Sequence, residues 1–287
     1  AVTALSPNEL HDIEMLAVEL AERAGAEIVS RLGSLLSVRY KTGAEDDRTL
    51  RNPVSDVDEA VERAIRERLA GRFPEHDVIG EEFDHRPGRD HSVVWAIDPI
   101  DGTSNFVNGF PLFACSIGVL ERGRPVAAAV WCATSHALRP GVYHARRGGG
   151  LQFDRQPLTP ARNPMVHRRL AGVPQFRRGR HPWDLRKTGS AAIECAFVAA
   201  GLLEAAAFNS PNLWDVAGGV LLVQEAGGTV LEGRPGAWQE FTQFAPRRGR
   251  GGTGDAPADL ARWNTGLILG TSAEAARIMA EQAIAEG

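Results

Sequence analysis

Two aspartates three residues apart stand in the string Asp98-Pro99-Ile100-Asp101-Gly102-Thr103, directly after the apolar run Val93-Val94-Trp95-Ala96-Ile97. The run has the length and β-branched content of a buried strand. Pro99 fixes its own φ and lacks an N–H, and Gly102 can adopt conformations closed to other residues, so the strand is expected to stop and turn here. Asp98 and Asp101 then project from the end of a hydrophobic strand, where open α/β sheets put their ligands. Two anions so crowded repel each other unless a cation sits between them, and oxygen donors suit Mg²⁺, Mn²⁺ or Ca²⁺. If a helix begins after the turn, the amides of Gly102, Thr103 and Ser104 face a phosphate. A bare pair of aspartates at this spacing is more often an Asx-turn with a helix cap, but the full string is far more specific than the pair.

Further acidic residues sit at predicted element ends. Ser55-Asp56-Val57-Asp58 reads as a capping box, which makes Asp58 a structural carboxylate worth about 1 kcal/mol. Asp77 to Gly80 is a short strand that releases Glu81 and Glu82, and adjacent side chains on an extended segment point oppositely, so at most one faces a given site. Asp215 follows Trp214 at a predicted helix start, where an acid also compensates the macrodipole. There is no GxxxxGK[ST] loop, and the histidines show no zinc-site spacing.

Trp95 to Phe106 and Trp214-Asp215-Val216-Ala217-Gly218-Gly219, the latter followed by Glu225-Ala226-Gly227-Gly228, occur together with Gly80-Glu81-Glu82 and with Asn52-Pro53-Val54-Ser55 leading to Asp58. In this order and spacing, over roughly residues 5 to 285, the set resembles the inositol monophosphatase family of Mg²⁺-dependent, lithium-sensitive sugar phosphatases. The resemblance implies that Glu81, Asp98, Asp101, Asp215 and the Ile100 carbonyl hold two or three Mg²⁺ ions, with Mn²⁺ as a substitute and Li⁺ as an inhibitor. It implies that Asp58 and Thr103 activate the attacking water alongside Glu81, which overturns the purely structural reading of Asp58. Asp101, Gly102, Thr103 and Ser104 would hold the phosphate, and Gly189, Ser190 and Ala191 would form the substrate-contacting loop. Members acting on inositol phosphates commonly carry a glutamate seven residues before the Trp-Asp aspartate; Phe208 stands there, with Asn209 and Asn212 nearby. A missing polar partner for a sugar hydroxyl weakens discrimination by a few kcal/mol.

The expected function is therefore hydrolysis of a small phosphomonoester by water attack, with inositol monophosphate as leading substrate. Histidinol phosphate, a nucleotide 3′-phosphate and fructose 1,6-bisphosphate are the alternatives within the superfamily. An alternative of another class is an RNA- or protein-binding regulatory member, acting through the basic segments Arg177 to His181 and Arg247 to Gly254. A homodimer is expected from the family.

The elements that must position these residues follow from periodicity and caps. Ser6-Pro7-Asn8-Glu9 caps a helix with Leu10, Ile13, Ala17, Leu20, Ala24 and Ile28 on one face, running to about residue 32. A second helix follows Ser55, with Val57, Val61, Ile65 and Leu69 on one face. Tyr40 to Asn52 reads as a surface loop. Strands are expected at Ala114 to Leu120 and Val126 to Cys132, and Gly148-Gly149-Gly150 marks a turn. The proline-bearing stretch 154–168 is expected to separate an N-terminal α+β half (1–155) from a C-terminal α/β half (156–287) within one compact unit. The second half is expected to alternate strand and helix, with helices from Ser190 to Ala200, from Trp214 to Ala226 and after Thr271. The expected fold is an α/β layered sandwich of alternating helix and sheet layers, as in the sugar phosphatases.

Composition fits a globular enzyme: of 287 residues 43% are hydrophobic and 24% charged, enough for a sizeable core. The net charge of −4 predicts no general attraction to nucleic acid or to an anionic membrane. Cys115, Cys132 and Cys195 form no CxxC pair and lie in or beside apolar runs, so neither disulfides nor a zinc site is expected. With no apolar stretch near 18 residues and no visible signal peptide, a cytoplasmic enzyme is expected.

Overall fold

The computed structural model describes residues 4–34, 38–40, 53–87, 92–175, 182–247 and 258–284. Helix α1 (Pro7–Ser30) starts at the capping box foreseen from its sequence: the Ser6 hydroxyl accepts from the Glu9 amide, and Glu9 accepts from the Ser6 amide at 2.8 Å. Strands β1 (Val38–Tyr40) and β2 (Pro53–Ser55) pair antiparallel before helix α2 (Asp56–Arg72). Tyr40 is thus a strand residue rather than the start of a loop; residues 41–52 lie outside the described residues.

Seven strands then form one sheet in the order β3-β4-β5-β6-β7-β8-β9. They are β3 (Asp77–Gly80), β4 (Val93–Asp101), β5 (Ala114–Glu121), β6 (Arg124–Cys132), β7 (Gly141–Arg146), β8 (Gln152–Phe153) and β9 (Gln156–Pro157). Only β3 and β4 run parallel; the rest is an antiparallel meander. A short helix α3 (Thr103–Val107) links β4 to β5. After residue 168 come β10 (Arg169–Gly172), β11 (Trp183–Arg186), helix α4 (Ala191–Ala199), β12 (Ala205–Phe208), helix α5 (Leu213–Glu225), β13 (Thr229–Arg234), β14 (Ala237–Glu240), β15 (Leu267–Gly270) and helix α6 (Ala273–Ile284). These strands make a second sheet in the order β11-β10-β12-β15-β13-β14. β11 and β14, four residues each and too short for a period to stand out, were not foreseen.

The period-2 alternation of the strands decides the layering. Along β4, Val93, Trp95 and Ile97 pack against α1 and α2, while Val94 and Ala96 join a core made with α4, α5 and the second sheet. Along β12, Ala206 and Phe208 belong to that shared core, whereas Ala205 and Ala207 face α6. The result is helix, sheet, helix, sheet, helix, a layered α/β fold with α4 and α5 buried between the sheets. Contact there is close: a Cβ added at Gly118 of β5 would lie 2.5 Å from the backbone nitrogen of Gly218, so α5 rests directly on the first sheet. The glycine-triplet turn is tied to the far end of α5, where Glu225 accepts the amides of Gly148 and Gly150 at 2.9 Å each. The three cysteines are buried free thiols. No helix among the described residues is long and apolar enough to cross a membrane.

The first sheet is locked to α1 by a buried polar group. Glu14 lies opposite His144 of β7, 2.7 Å from its Nδ1, and takes Arg146 Nη1 at 2.7 Å. His144 Nε2 accepts from the Arg155 amide at 3.0 Å, so the ring proton sits on Nδ1 and points at Glu14. Burial pushes the Glu14 carboxyl up, but the hydrogen bonds from His144 and Arg146 and the Arg146 charge outweigh it and hold it below the ordinary glutamate value. A carboxylate depressed by folding contributes stability above its unfolded pKa and loses it as pH falls through the folded value. Glu14→Gln is therefore expected to lower unfolding free energy by about 2 kcal/mol at pH 7. In urea titrations the gap to wild type should narrow steadily below about pH 4.5.

Candidate active site

The turn after Ile97 is not a clean stop. β4 continues through Asp98, Pro99, Ile100 and Asp101, with Asp98 paired to Ser116 and Asp101 to Ala114. Two residues, Pro99 and Ile100, thus stand opposite Cys115 alone. Such a bulge gives Pro99 a place outside the ladder, where its missing N–H costs nothing, and re-aims the flanking side chains. Gly102 then turns the chain at φ 90°, a conformation glycine adopts without strain, and α3 begins. Asn105 on α3 donates to the carbonyls of Leu112 (2.6 Å) and Thr188 (2.8 Å), which pins this turn to the segment leading into α4.

Asp58 combines both roles weighed for it. One oxygen, Oδ2, accepts from the Ser55 amide at 2.8 Å and from the Ser55 hydroxyl, completing the capping box of α2. The other, Oδ1, lies 3.0 Å from Thr103 Oγ1, which is also 2.9 Å from the Ile100 carbonyl. The cap fixes the carboxylate so that its free oxygen meets the threonine. Burial raises the Asp58 pKa, opposed by the hydrogen bonds from Ser55 and Thr103, and the charge of Glu81 raises it further.

Around β4 the acids gather. β3 runs parallel to β4 with Gly80 opposite Ile97, so Glu81 emerges beside Asp98, its amide donating to the Ile97 carbonyl at 3.2 Å. Asp101 Oδ2 accepts from Ser190 Oγ at 2.7 Å and from the Ala192 amide, the start of α4. Asp215, at the third position of α5, accepts the Asn212 amide at 2.8 Å. Asp98 is 1% exposed, and its Oδ1 has no hydrogen-bond partner. Burial pushes the Asp98 carboxyl well above its usual range, and the negative charges of Glu81, Asp101 and Asp215 push the same way. Burial likewise raises Asp101 to about 6, against the pull of the Ala192 and Ser190 hydrogen bonds.

An orphaned, buried carboxylate oxygen amid three other acids fits a hard divalent cation bound by oxygen donors. Among the described residues, however, no three such side chains close into a finished cage. Asp101 is turned onto Ser190 and Ala192, and Asp215 onto Asn212. Both acids are held by helix starts while still facing Asp98 electrostatically.

The structure brings together Asp58, Glu81, Asp98, Ile100, Asp101, Gly102, Thr103, Ser190 and Asp215. Gly189 (φ 83°) and Ala191 flank Ser190 at the start of α4, Ser104 lies in the first turn of α3, and Asn212 caps α5 at the surface. Phe208 is 8% exposed and packs in the core between the sheets. It therefore presents no polar group where inositol-acting relatives are expected to have a carboxylate. Of the basic segments, residues 177–181 and 248–254 lie outside the described residues, and Arg247 is held by a two-way backbone bridge to Asp259. Two carboxylates near the site were missed in the sequence. Glu194 on α4 is pushed up to about 7 by burial and accepts from Thr188 Oγ1 at 2.8 Å; Glu62 on α2 is fully buried. Glu194 is the one acid in an otherwise apolar helix, which was the available signal; Glu62, among the other acids of α2, offered none.

Because burial and the neighbouring acids disfavour an ionised Asp98, removing that charge is expected to relieve the metal-free fold. Asp98→Asn should melt above wild type in EDTA. Saturating Mg²⁺ should stabilise the wild type, by about 2.7 kcal/mol at a hundredfold excess over Kd, and so raise its midpoint while leaving the variant unmoved. A calorimetric scan of the two proteins with and without Mg²⁺ checks this.

Comparison with known proteins places the chain. The sequence profile of the inositol monophosphatase family matches residues 9–262. The Nus factor SuhB of Escherichia coli is 33% identical over 239 residues, 78% of this chain and 86% of that protein. The chloroplastic phosphatase IMPL1 of Arabidopsis thaliana is 32% identical over 255 residues, 83% of this chain and 66% of that protein. The crystal structure of the extragenic suppressor protein suhB from Bartonella henselae superposes with a TM-score of 0.71 at 25% identity, covering 96% of this chain and 99% of the other. With its matched profile, its layered fold and its acids grouped at the end of β4, the chain belongs to the inositol monophosphatase family.

Proposed function

We propose that the chain is a Mg²⁺-dependent phosphomonoesterase acting on a small phosphorylated polyol, with inositol monophosphate as the leading substrate. The observation that carries this reading is the unpartnered Asp98 oxygen buried among Glu81, Asp101 and Asp215. Those four side chains and the Ile100 carbonyl would hold the cations, with Mn²⁺ able to substitute and Li⁺ expected to inhibit. Divalent cations there supply the positive charge that masks a phosphate dianion and acidifies a water molecule.

The chain's own residues divide the remaining work. Thr103 has one hydroxyl proton and two acceptors in reach, Asp58 Oδ1 and the Ile100 carbonyl. Donating that proton to Asp58 leaves the hydroxyl oxygen free to accept one from an attacking water, so Asp58 acts through Thr103 as general base. The first-turn amides of α3, at Thr103 and Ser104, have no carbonyl partner within the helix and suit phosphate oxygens, together with the Gly102 amide. Gly189, Ser190, Ala191 and Asn212 lie at the starts of α4 and α5 and are the proposed substrate contacts. With the Phe208 ring turned into the core, discrimination for the inositol ring rests on neighbours such as Asn212. Histidinol phosphate, a nucleotide 3′-phosphate and fructose 1,6-bisphosphate remain the alternative substrates.

Similarity to proteins named as Nus factors favours a second reading, in which the same fold contacts RNA or a protein partner. The two separate in a single experiment. Phosphate release is measured from inositol 1-phosphate, histidinol phosphate, adenosine 3′,5′-bisphosphate and fructose 1,6-bisphosphate, with Mg²⁺, with EDTA and with Asp101→Asn. The enzyme reading predicts turnover of one substrate, abolished in both controls. It also predicts that Thr103→Ala lowers kcat by about 100-fold or more while Thr103→Ser retains most of it. Absence of metal-dependent release from the whole panel, with salt-sensitive RNA binding in its place, supports the second reading.

A further inference from the structure

Helix α2 carries two buried carboxylates one turn apart, Asp58 and Glu62, and only the first belongs to the machinery described above. A carboxylate taken out of water is costly unless its oxygens are hydrogen-bonded, and the partners of Glu62 show what its burial achieves. Its Oε2 accepts from the Glu82 amide at 2.8 Å, and its Oε1 from the Phe83 amide at 3.3 Å. Oε1 also takes Nε of Arg66, one turn further along α2, at 2.7 Å. The Arg66 guanidinium then reaches the carbonyls of Phe83 (2.7 Å) and His85 (2.6 Å). Together the two side chains hold four backbone groups of residues 82–85, which follow Glu81 directly.

Glu81 itself sits between two anchors. On one side its amide is bonded to Ile97 of β4; on the other, Glu62 holds the next two amides. The approach is close: a Cβ added at Gly80 would lie 2.0 Å from Glu62 Oε1, so a side chain there would displace the carboxylate. A loop after a strand end is ordinarily among the more mobile parts of a fold. Here it is held by a helix that also carries Asp58. The spacing between Asp58 and the Glu81 segment is thus set by four residues of helix, about 6 Å of rigid backbone.

We propose that the Glu62–Arg66 pair is a positioning device that sets the Glu81 carboxylate beside Asp98, in step with Asp58, and thereby determines the divalent-cation affinity of the site. The proposal rests on the phosphatase reading of the carboxylate cluster. Glu62 and Arg66 touch no substrate; they act through the backbone that bears Glu81.

The test is Mn²⁺ binding to the full chain without substrate, followed by electron paramagnetic resonance. Glu62→Gln keeps the side-chain shape and removes the charge that holds Arg66 and the two amides. It is expected to weaken Mn²⁺ binding by about tenfold or more, the usual effect of losing a group that orients a metal ligand. It should also raise the Mg²⁺ concentration needed for half-maximal activity more than it lowers kcat at saturating Mg²⁺. Glu225→Gln is the matched control, because Glu225 also accepts two backbone amides but stands about 15 Å of helix away from Asp215. Its Mn²⁺ affinity should stay within about twofold of wild type, the helical fold being matched by circular dichroism. Should Glu62→Gln fail to fold, Arg66→Lys, which keeps the charge and loses the forked reach to two carbonyls, is measured the same way and should weaken binding. Wild-type affinity in the folded variants overturns the positioning role. A wild-type protein that binds no Mn²⁺ overturns the cation reading of the cluster itself, so the two failures are told apart.

Discussion

Mutual repulsion among the acids at the end of β4 is the constraint to which the surrounding structure is fitted. Two unit charges about 4 Å apart in an environment of effective dielectric 20 repel by roughly 4 kcal/mol. Here Asp98 feels Glu81, Asp101 and Asp215 together and is buried as well. Chains do not keep such an arrangement for stability. Hydrogen bonds hold most of these acids in place, and one oxygen of Asp98 is left with nothing but the charge of its neighbours.

The way those acids are held links fold to chemistry. Asp58 is the third residue of α2, Asp215 the third of α5, and Asp101 lies on the opening turn of α4. Helix starts present unpaired N–H groups and the positive end of the macrodipole, which give a carboxylate fixed hydrogen-bond donors without supplying a mobile cation. Three helices from two different layers therefore aim their N-termini at one strand end. This explains why α4 and α5 must be buried between the sheets, and why α5 rests on β5 through glycine. It also explains why one carboxylate can be cap and catalyst at once: Asp58 spends one oxygen on Ser55 and keeps the other for Thr103.

Much of this was legible in the sequence, for identifiable reasons. Capping boxes depend on residues three apart and were found at Ser6 and Ser55, while the one Asn212 forms with Asp215 was passed over. The strand before Asp98 and the helix after Trp214 have strong apolar patterns, and the motif strings named the grouped acids before any coordinates did. What was missed depends on contacts between distant segments. The extension of β4 to Asp101 requires a bulge opposite Cys115, which no local pattern encodes. β14 is polar and exists because β13 pairs with it. Glu62 looks like an ordinary helix-surface acid until residues 82–85 are folded against it. Phe208 was flagged by counting back from Asp215, but only packing shows that its ring is in the core.

The central claim is that the acids at the end of β4 form a divalent-cation site. Anomalous diffraction from crystals soaked in Mn²⁺, collected above and below the manganese edge, tests it without reference to any substrate. The account predicts manganese peaks within coordination distance of Asp98, shared with Glu81, Asp101 and Asp215, and an Asp101 carboxylate swung away from Ser190. Fully soaked crystals with no peak at this cluster, or with manganese only elsewhere on the surface, would contradict it.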